Sequence, residues 1–186
     1  MAEGAFIRAV RDRFAEVRSL AERAIGQLDE ERLTATLGPD ENSVAILMQH
    51  VGGNLRSRWT AFRTEDGEKP DRHRDREFDT QVSLGEVRAV WQAGWAALDA
   101  ALADLDPADL DRRITIRAQP LSVTEALLRS LAHTAGHVYQ IVQLARHWRG
   151  STWETLSIPR GQSAQFAQNL TARYGTGSKV PDASSR

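Results

Sequence analysis

Four stretches of the chain repeat apolar residues at spacings of three and four, the period of one helix face. The first runs Phe6, Val10, Phe14, Val17, Ala21, Ala24 and Leu28. The second starts beyond the breaker run Gly38-Pro39-Asp40 and continues Val44, Leu47, Val51, Leu55, Trp59 and Phe62. The third follows Ser83-Leu-Gly-Glu86 and runs Val87, Trp91, Trp95, Leu98 and Leu102, stopping before Pro107. The fourth follows Ser122-Val-Thr-Glu125 and runs Leu127, Leu131, Thr134, Val138, Ile141, Ala145 and Trp148, up to Gly150. The last two openings are capping boxes, in which a serine hydroxyl and a glutamate carboxylate satisfy backbone N–H groups that the first helical turn leaves without partners.

The connections set the topology. Residues 65–82 are densely charged and carry the turn signals Asp66-Gly67 and Lys69-Pro70. That is too long for a tight helix hairpin and predicts a crossover, which lets the second and third helices run parallel. Arg113-Ile-Thr-Ile-Arg117 alternates polar and apolar, but a lone strand has no partner, so a structured connection is expected there. The fold class expected is all-α, a four-helix arrangement with a long crossover between the second and third helices. Residues 1–170 are expected to form one domain, with Trp153 to Leu170 docked on the bundle, and 171–186 a disordered tail with little to bury.

Length agrees, since 186 residues suffice for one good core and not for two ordinary domains. Lys plus Arg is 24 against 25 Asp plus Glu, so no bulk charge draws the chain to nucleic acid or an anionic membrane. The longest apolar run, Val44 to Met48, is far short of the ~20 residues that span a bilayer. The first residues carry charges every few positions and lack a secretory apolar core, so a cytoplasmic location is expected. Cysteine is absent, which excludes disulfides, thiolate metal sites and a cysteine nucleophile together.

Candidate chemistry rests on the five histidines. His133 and His137 lie four apart on the fourth helix, one turn apart on one face, where two imidazoles can share an ion. His50 lies on the core-facing stripe of the second helix. If those helices are antiparallel, the three rings fall at similar depth. Three neutral imidazoles at ~2.0–2.1 Å would hold zinc or a similar divalent ion and leave one position for water or substrate. Nickel, iron and cobalt accept the same ligands. Spacing alone leaves a second reading open, in which these are core histidines satisfied by hydrogen bonds. His73, in the crossover, and His147, off the stripe near a helix C-terminus, are read as surface residues. Asn54 and Arg58 follow His50 at +4 and +8, Arg129 precedes His133 by four, and Gln140 follows His137 by three. They border the same cavity, as substrate-orienting groups and anion anchors or as boundary residues that reach solvent. No Asp or Glu falls on the His133/His137 stripe near the site, Glu125 being two turns away.

Gln49-His50-Val-Gly-Gly-Asn54-Leu-Arg-Ser-Arg58-Trp59, Asp66-Gly-Glu-Lys-Pro70, His133-Thr-Ala-Gly-His137-Val-Tyr-Gln140 and Leu156-Ser-Ile-Pro-Arg-Gly161 together resemble an uncharacterised branch of the DinB-like superfamily of four-helix metal proteins. The resemblance implies an up-down-down-up bundle, a divalent ion, zinc or nickel first, on His50, His133 and His137, and homodimerisation. Characterised relatives include S-transferases and isomerases that use a low-molecular-weight thiol such as bacillithiol or mycothiol. It therefore implies a metal-dependent enzyme in which a small-molecule thiol attacks an electrophilic substrate. A metal-assisted hydrolase, or a non-catalytic dimeric metal-binding protein, are the alternatives.

Overall fold

Each of the four long helices begins, or is held, where the side-chain pattern requires. The computed structural model describes residues 4–78 and 82–175. Helix α1 (Ala5–Ile25) buries Ile7, Val10, Phe14, Ala21 and Ala24, and a short α2 (Glu30–Thr34) follows, capped by Asp29. Helix α3 (Val44–Trp59) is capped by Ser43, whose hydroxyl accepts the Ile46 N–H at 3.2 Å. Its positive-φ successor Ala61 turns the chain away before Phe62. Both capping boxes form, Ser83 with Glu86 at the start of α4 (Leu84–Ala103) and Ser122 with Glu125 at the start of α5 (Val123–Arg149). A second compact unit begins at Glu154 and contains α6 (Ser163–Tyr174). The helix carries the chain past residue 170, and the remainder of the expected tail, 176–186, lies outside the described residues.

Helix α3 is buried nearly all round, which places its polar residues inside the protein. Pairwise contacts give the directions. Trp59 Nε1 donates to Ser130 Oγ at 3.1 Å while His50 meets His133, so α3 and α5 are antiparallel. Arg11 donates to the Leu102 carbonyl and Arg18 pairs with Asp99, so α1 and α4 are antiparallel. Helices α3 and α4 run the same way, as the long crossover allows: Gly52 faces Gly94 midway, and Arg63, just past α3, bonds Asp104 at the end of α4. A Cβ on Gly94 would lie 2.3 Å from the Gly52 carbonyl oxygen, and one on Gly52 would lie 2.5 Å from that of Val90. Only glycine at both positions lets the two backbones approach so closely.

The segment expected as an unpaired connection is instead half of a hairpin. Strand β1 (Arg113–Ile116) pairs antiparallel with β2 (Gln119–Ser122), in the register Arg113↔Ser122 and Ile116↔Gln119. The two-residue turn is Arg117-Ala118, at φ 56° and 59°, where Asn-Gly is the usual choice. The carboxylate of Asp66 accepts both turn N–H groups at 2.8 Å and holds them there. Burial raises the Asp66 pKa, but the backbone donors of Glu68, Ala118 and Arg117 outweigh it and bring it down to about 2. Gly67 N–H adds a bond to the Thr115 carbonyl at 2.8 Å, so the crossover is fastened to the hairpin. Ile114 and Ile116 point inward as a result. No helix among the described residues is long and apolar enough to cross a membrane.

Candidate metal centre

The antiparallel pairing of α3 and α5 brings His50, His133 and His137 together. One ring nitrogen from each lies within 4.8 Å of the others, and ring centroids are 4.6–5.2 Å apart. His50 Nε2 and His133 Nε2 are 3.2 Å apart. Two nitrogens bound at ~2.0–2.1 Å to a tetrahedral ion stand ~3.3 Å apart, so this pair fits a shared ion.

The outer nitrogens fix how the rings face. His50 Nδ1 lies 2.8 Å from Glu77 Oε2, an acceptor, so the proton sits on Nδ1 and the Nε2 lone pair faces the other rings. His137 Nδ1 donates to Gln140 Oε1 at 2.9 Å, which frees its Nε2 in the same way. A carboxylate or amide behind a ligating imidazole is the usual support of a metal-bound histidine. His133 differs, since its buried Nδ1 has no hydrogen-bond partner. Without an ion, the 3.2 Å contact must be a hydrogen bond from one Nε2 to the other. Glu77 makes His50 the acceptor and His133 the donor, so the His133 Nδ1 lone pair is left buried and unpaired.

Electrostatics favours neutral rings. Burial, then the neighbouring His137 and His50 and the charges of Arg58 and Arg72, push the His133 pKa down to about 4. Burial also lowers that of His137, against the bond to Gln140. The neutral imidazole is the form that takes a metal, so both downward shifts favour ligation.

Glu77 comes from the crossover, where Arg74–Phe78 forms a short 3-10 helix that lays the buried carboxylate under His50. Arg72 grips both its oxygens, at 2.7 and 2.9 Å. Desolvation raises the Glu77 pKa, but the bonds from His50 and Arg72 prevail and lower it. A Cβ on Gly53 would sit 2.5 Å from Glu77 Oε1, so that glycine makes room for the carboxylate. Glu77 lies off the helix stripes, among ten other charged residues of the 65–82 crossover, so no periodicity marks it. The Gly52-Gly53 pair was the available signal. Glu77→Gln keeps the shape and removes the charge. Metal affinity should fall by about 10–100-fold, as read by titration against a competing chelator; unchanged affinity would mean that Glu77 does not support the centre.

The remaining residues divide. A cavity of about 200 Å³ opens beside His50 and His133, and Asn54, Arg58 and Ser130 line it. Gln140 is outside that lining and holds His137 instead. Arg58 is 7% exposed, and its guanidinium is occupied by the Gly67 carbonyl and by Glu68 at 2.9 Å. His73 and His147 are exposed and take no part in the cluster.

Residues 2–162 match the model of a family described as a protein of unknown function, DUF1572, and the chain belongs to that family. No curated protein and no solved structure matches it.

Proposed function

We propose that the protein is a metal-dependent enzyme of the DinB-like superfamily in which a small-molecule thiol, held at the three-histidine centre, attacks an electrophilic substrate. The reading takes α1, α3, α4 and α5 as an up-down-down-up bundle, supported by the parallel α3–α4 pair and the antiparallel α3–α5 and α1–α4 pairs. The observation that carries it is a three-imidazole cluster, two of whose rings line a cavity, while the carboxylates beside it among the described residues are already committed. Glu77 is bound to His50 and Arg72, and Glu68 to Arg58, Arg72 and Arg117. Neither is free to serve as the general base of a hydrolase.

A divalent ion on His50, His133 and His137 would supply Lewis acidity, lowering the pKa of a thiol bound at the position the protein leaves open. The chain has no cysteine, so the thiolate must come from a small molecule. The protein's own part is to orient His50 by Glu77 and His137 by Gln140, and to wall the cavity with Trp59, Ile114 and Ile116. Titrating N-acetylcysteine into cobalt-substituted protein tests this. A new near-ultraviolet sulfur-to-cobalt band is expected, absent in His133→Ala; an unchanged spectrum would defeat the proposal.

A further inference from the structure

The cavity beside the histidines has a lining of one charge. Arg58, Arg74, Arg117 and Arg129 border it, and no carboxylate does among the described residues. Arg58 is engaged by the Gly67 carbonyl and Glu68, and Arg117 at the hairpin turn shares Glu68 through its Nε at 2.7 Å. Arg129 stands apart. It is exposed, makes one long bond of 3.2 Å to Gln119 Oε1, and has no carboxylate partner among the described residues. It sits on α5 four residues before His133, so the two Cα atoms are ~6 Å apart along the axis.

Two neutral polar groups face the same space. Asn54 is 8% exposed and its side-chain amide has no hydrogen-bond partner among the described residues. Its amide atoms are not among the fully buried unpaired ones, so they reach the cavity and are open to a ligand. The Ser130 hydroxyl oxygen accepts from Trp59 Nε1, which leaves its proton free to donate. Opposite stand the apolar Ile114, Ile116 and Trp59. The lining thus offers cationic forks at the rim, donors within and an apolar wall. Such a set is complementary to a small organic anion.

The anion is further defined by what the cavity lacks. The first turn of α5 is closed by its own capping box, Glu125 N–H on Ser122 Oγ and Ser122 N–H on Glu125, so no free helix N-terminus is offered to a phosphate. A planar guanidinium fork with a side-chain amide matches a carboxylate.

We infer that this cavity binds the carboxylate of a small, partly apolar substrate on Arg129 and Arg117, with the Asn54 amide completing its hydrogen bonds and the rest of the molecule directed to the three histidines. The inference deepens the enzyme reading, on which its last clause rests. Benzoate is the probe, compared with its neutral isostere benzamide and with phenylphosphonate, by calorimetry at low salt on the full-length protein in metal-loaded and chelated forms. Benzoate is expected to bind at least tenfold more tightly than benzamide in both forms and more tightly than phenylphosphonate. Arg129→Gln and Arg117→Gln should each weaken it at least fivefold, while Arg146→Gln, on the same helix away from the cavity, should not. Circular dichroism confirms that each variant is folded. Benzoate binding no tighter than benzamide, indifferent to Arg129 and Arg117, or seen only with metal present would overturn the inference and leave the thiol reading standing. Tighter binding of phenylphosphonate would overturn the carboxylate assignment. Arginine-dependent benzoate binding beside a silent cobalt–thiol titration would do the reverse, retaining the anion site and removing the enzyme reading.

Discussion

His133→Ala is expected to strip the protein of its metal, with a loss of affinity beyond the ~10–100-fold that a supporting residue is worth. His133 is the ring that faces His50 at 3.2 Å, and burial with its neighbours keeps it neutral, its pKa pushed down to about 4. Two imidazoles cannot complete a zinc-type site without replacing the third ligand from solvent or elsewhere, and the Glu77 carboxylate is engaged on the far nitrogen of His50. His50→Ala should behave alike, whereas His73→Ala and His147→Ala should retain metal, both being exposed and outside the cluster. Elemental analysis of protein purified without a histidine tag gives the result; equal loss in all four variants would remove the assignment. Helical circular dichroism should stay near native, because the core of Phe14, Leu47, Leu55, Trp95, Leu98 and Leu127 owes nothing to the metal.

The largest effect on stability is expected at the α3–α4 crossing. Gly94→Ala would drive a methyl group to 2.3 Å from the Gly52 carbonyl oxygen and 2.6 Å from its Cα, both backbone atoms that cannot rotate aside. The helices must separate, and Trp91 and Trp95, packed edge to face beside the contact, lose their fit. Overpacking of this kind costs about 1–3 kcal/mol, and a backbone-to-backbone clash belongs at the upper end. For a domain of this size that is a fall of roughly 6–12 °C in Tm. Gly136→Ala makes the opposite case. A Cβ there meets nothing within 4 Å on an exposed helix face, and alanine is favoured over glycine in a helix interior by roughly 1 kcal/mol. Thermal melts of the two variants should therefore move in opposite directions; similar shifts would mean that the close approach at Gly94 does not hold α3 to α4.

The long helices were legible because each one buries a face, and three of the four begin at a serine that caps them, Ser43, Ser83 and Ser122. Ser83 with Glu86 and Ser122 with Glu125 mark α4 and α5 to the residue. His50, His133 and His137 were legible for a related reason: helical spacing puts two on one face, and the crossover implies the antiparallel pairing that brings in the third. What escaped depends on contacts distant in sequence. Arg117-Ala118 lacks the Asn-Gly signature of a hairpin turn because Asp66, 51 residues earlier, supplies the acceptors that hold the turn. Without that partner, Arg113–Arg117 reads as a strand with nothing to pair with. Glu77 is invisible for a similar reason, since its burial comes from a short 3-10 helix and from Arg72, which no periodicity marks. The cationic lining is likewise assembled from two helices, the crossover and the hairpin.

The central claim is that three histidines and no other side chain hold one divalent ion. X-ray absorption at the metal edge, on protein whose metal content has been measured, tests it most directly. One ion per chain is expected, with scattering from three imidazoles at ~2.0–2.1 Å and the remaining position filled by solvent. Metal well below one per chain, or a shell with fewer than three imidazoles, would contradict it.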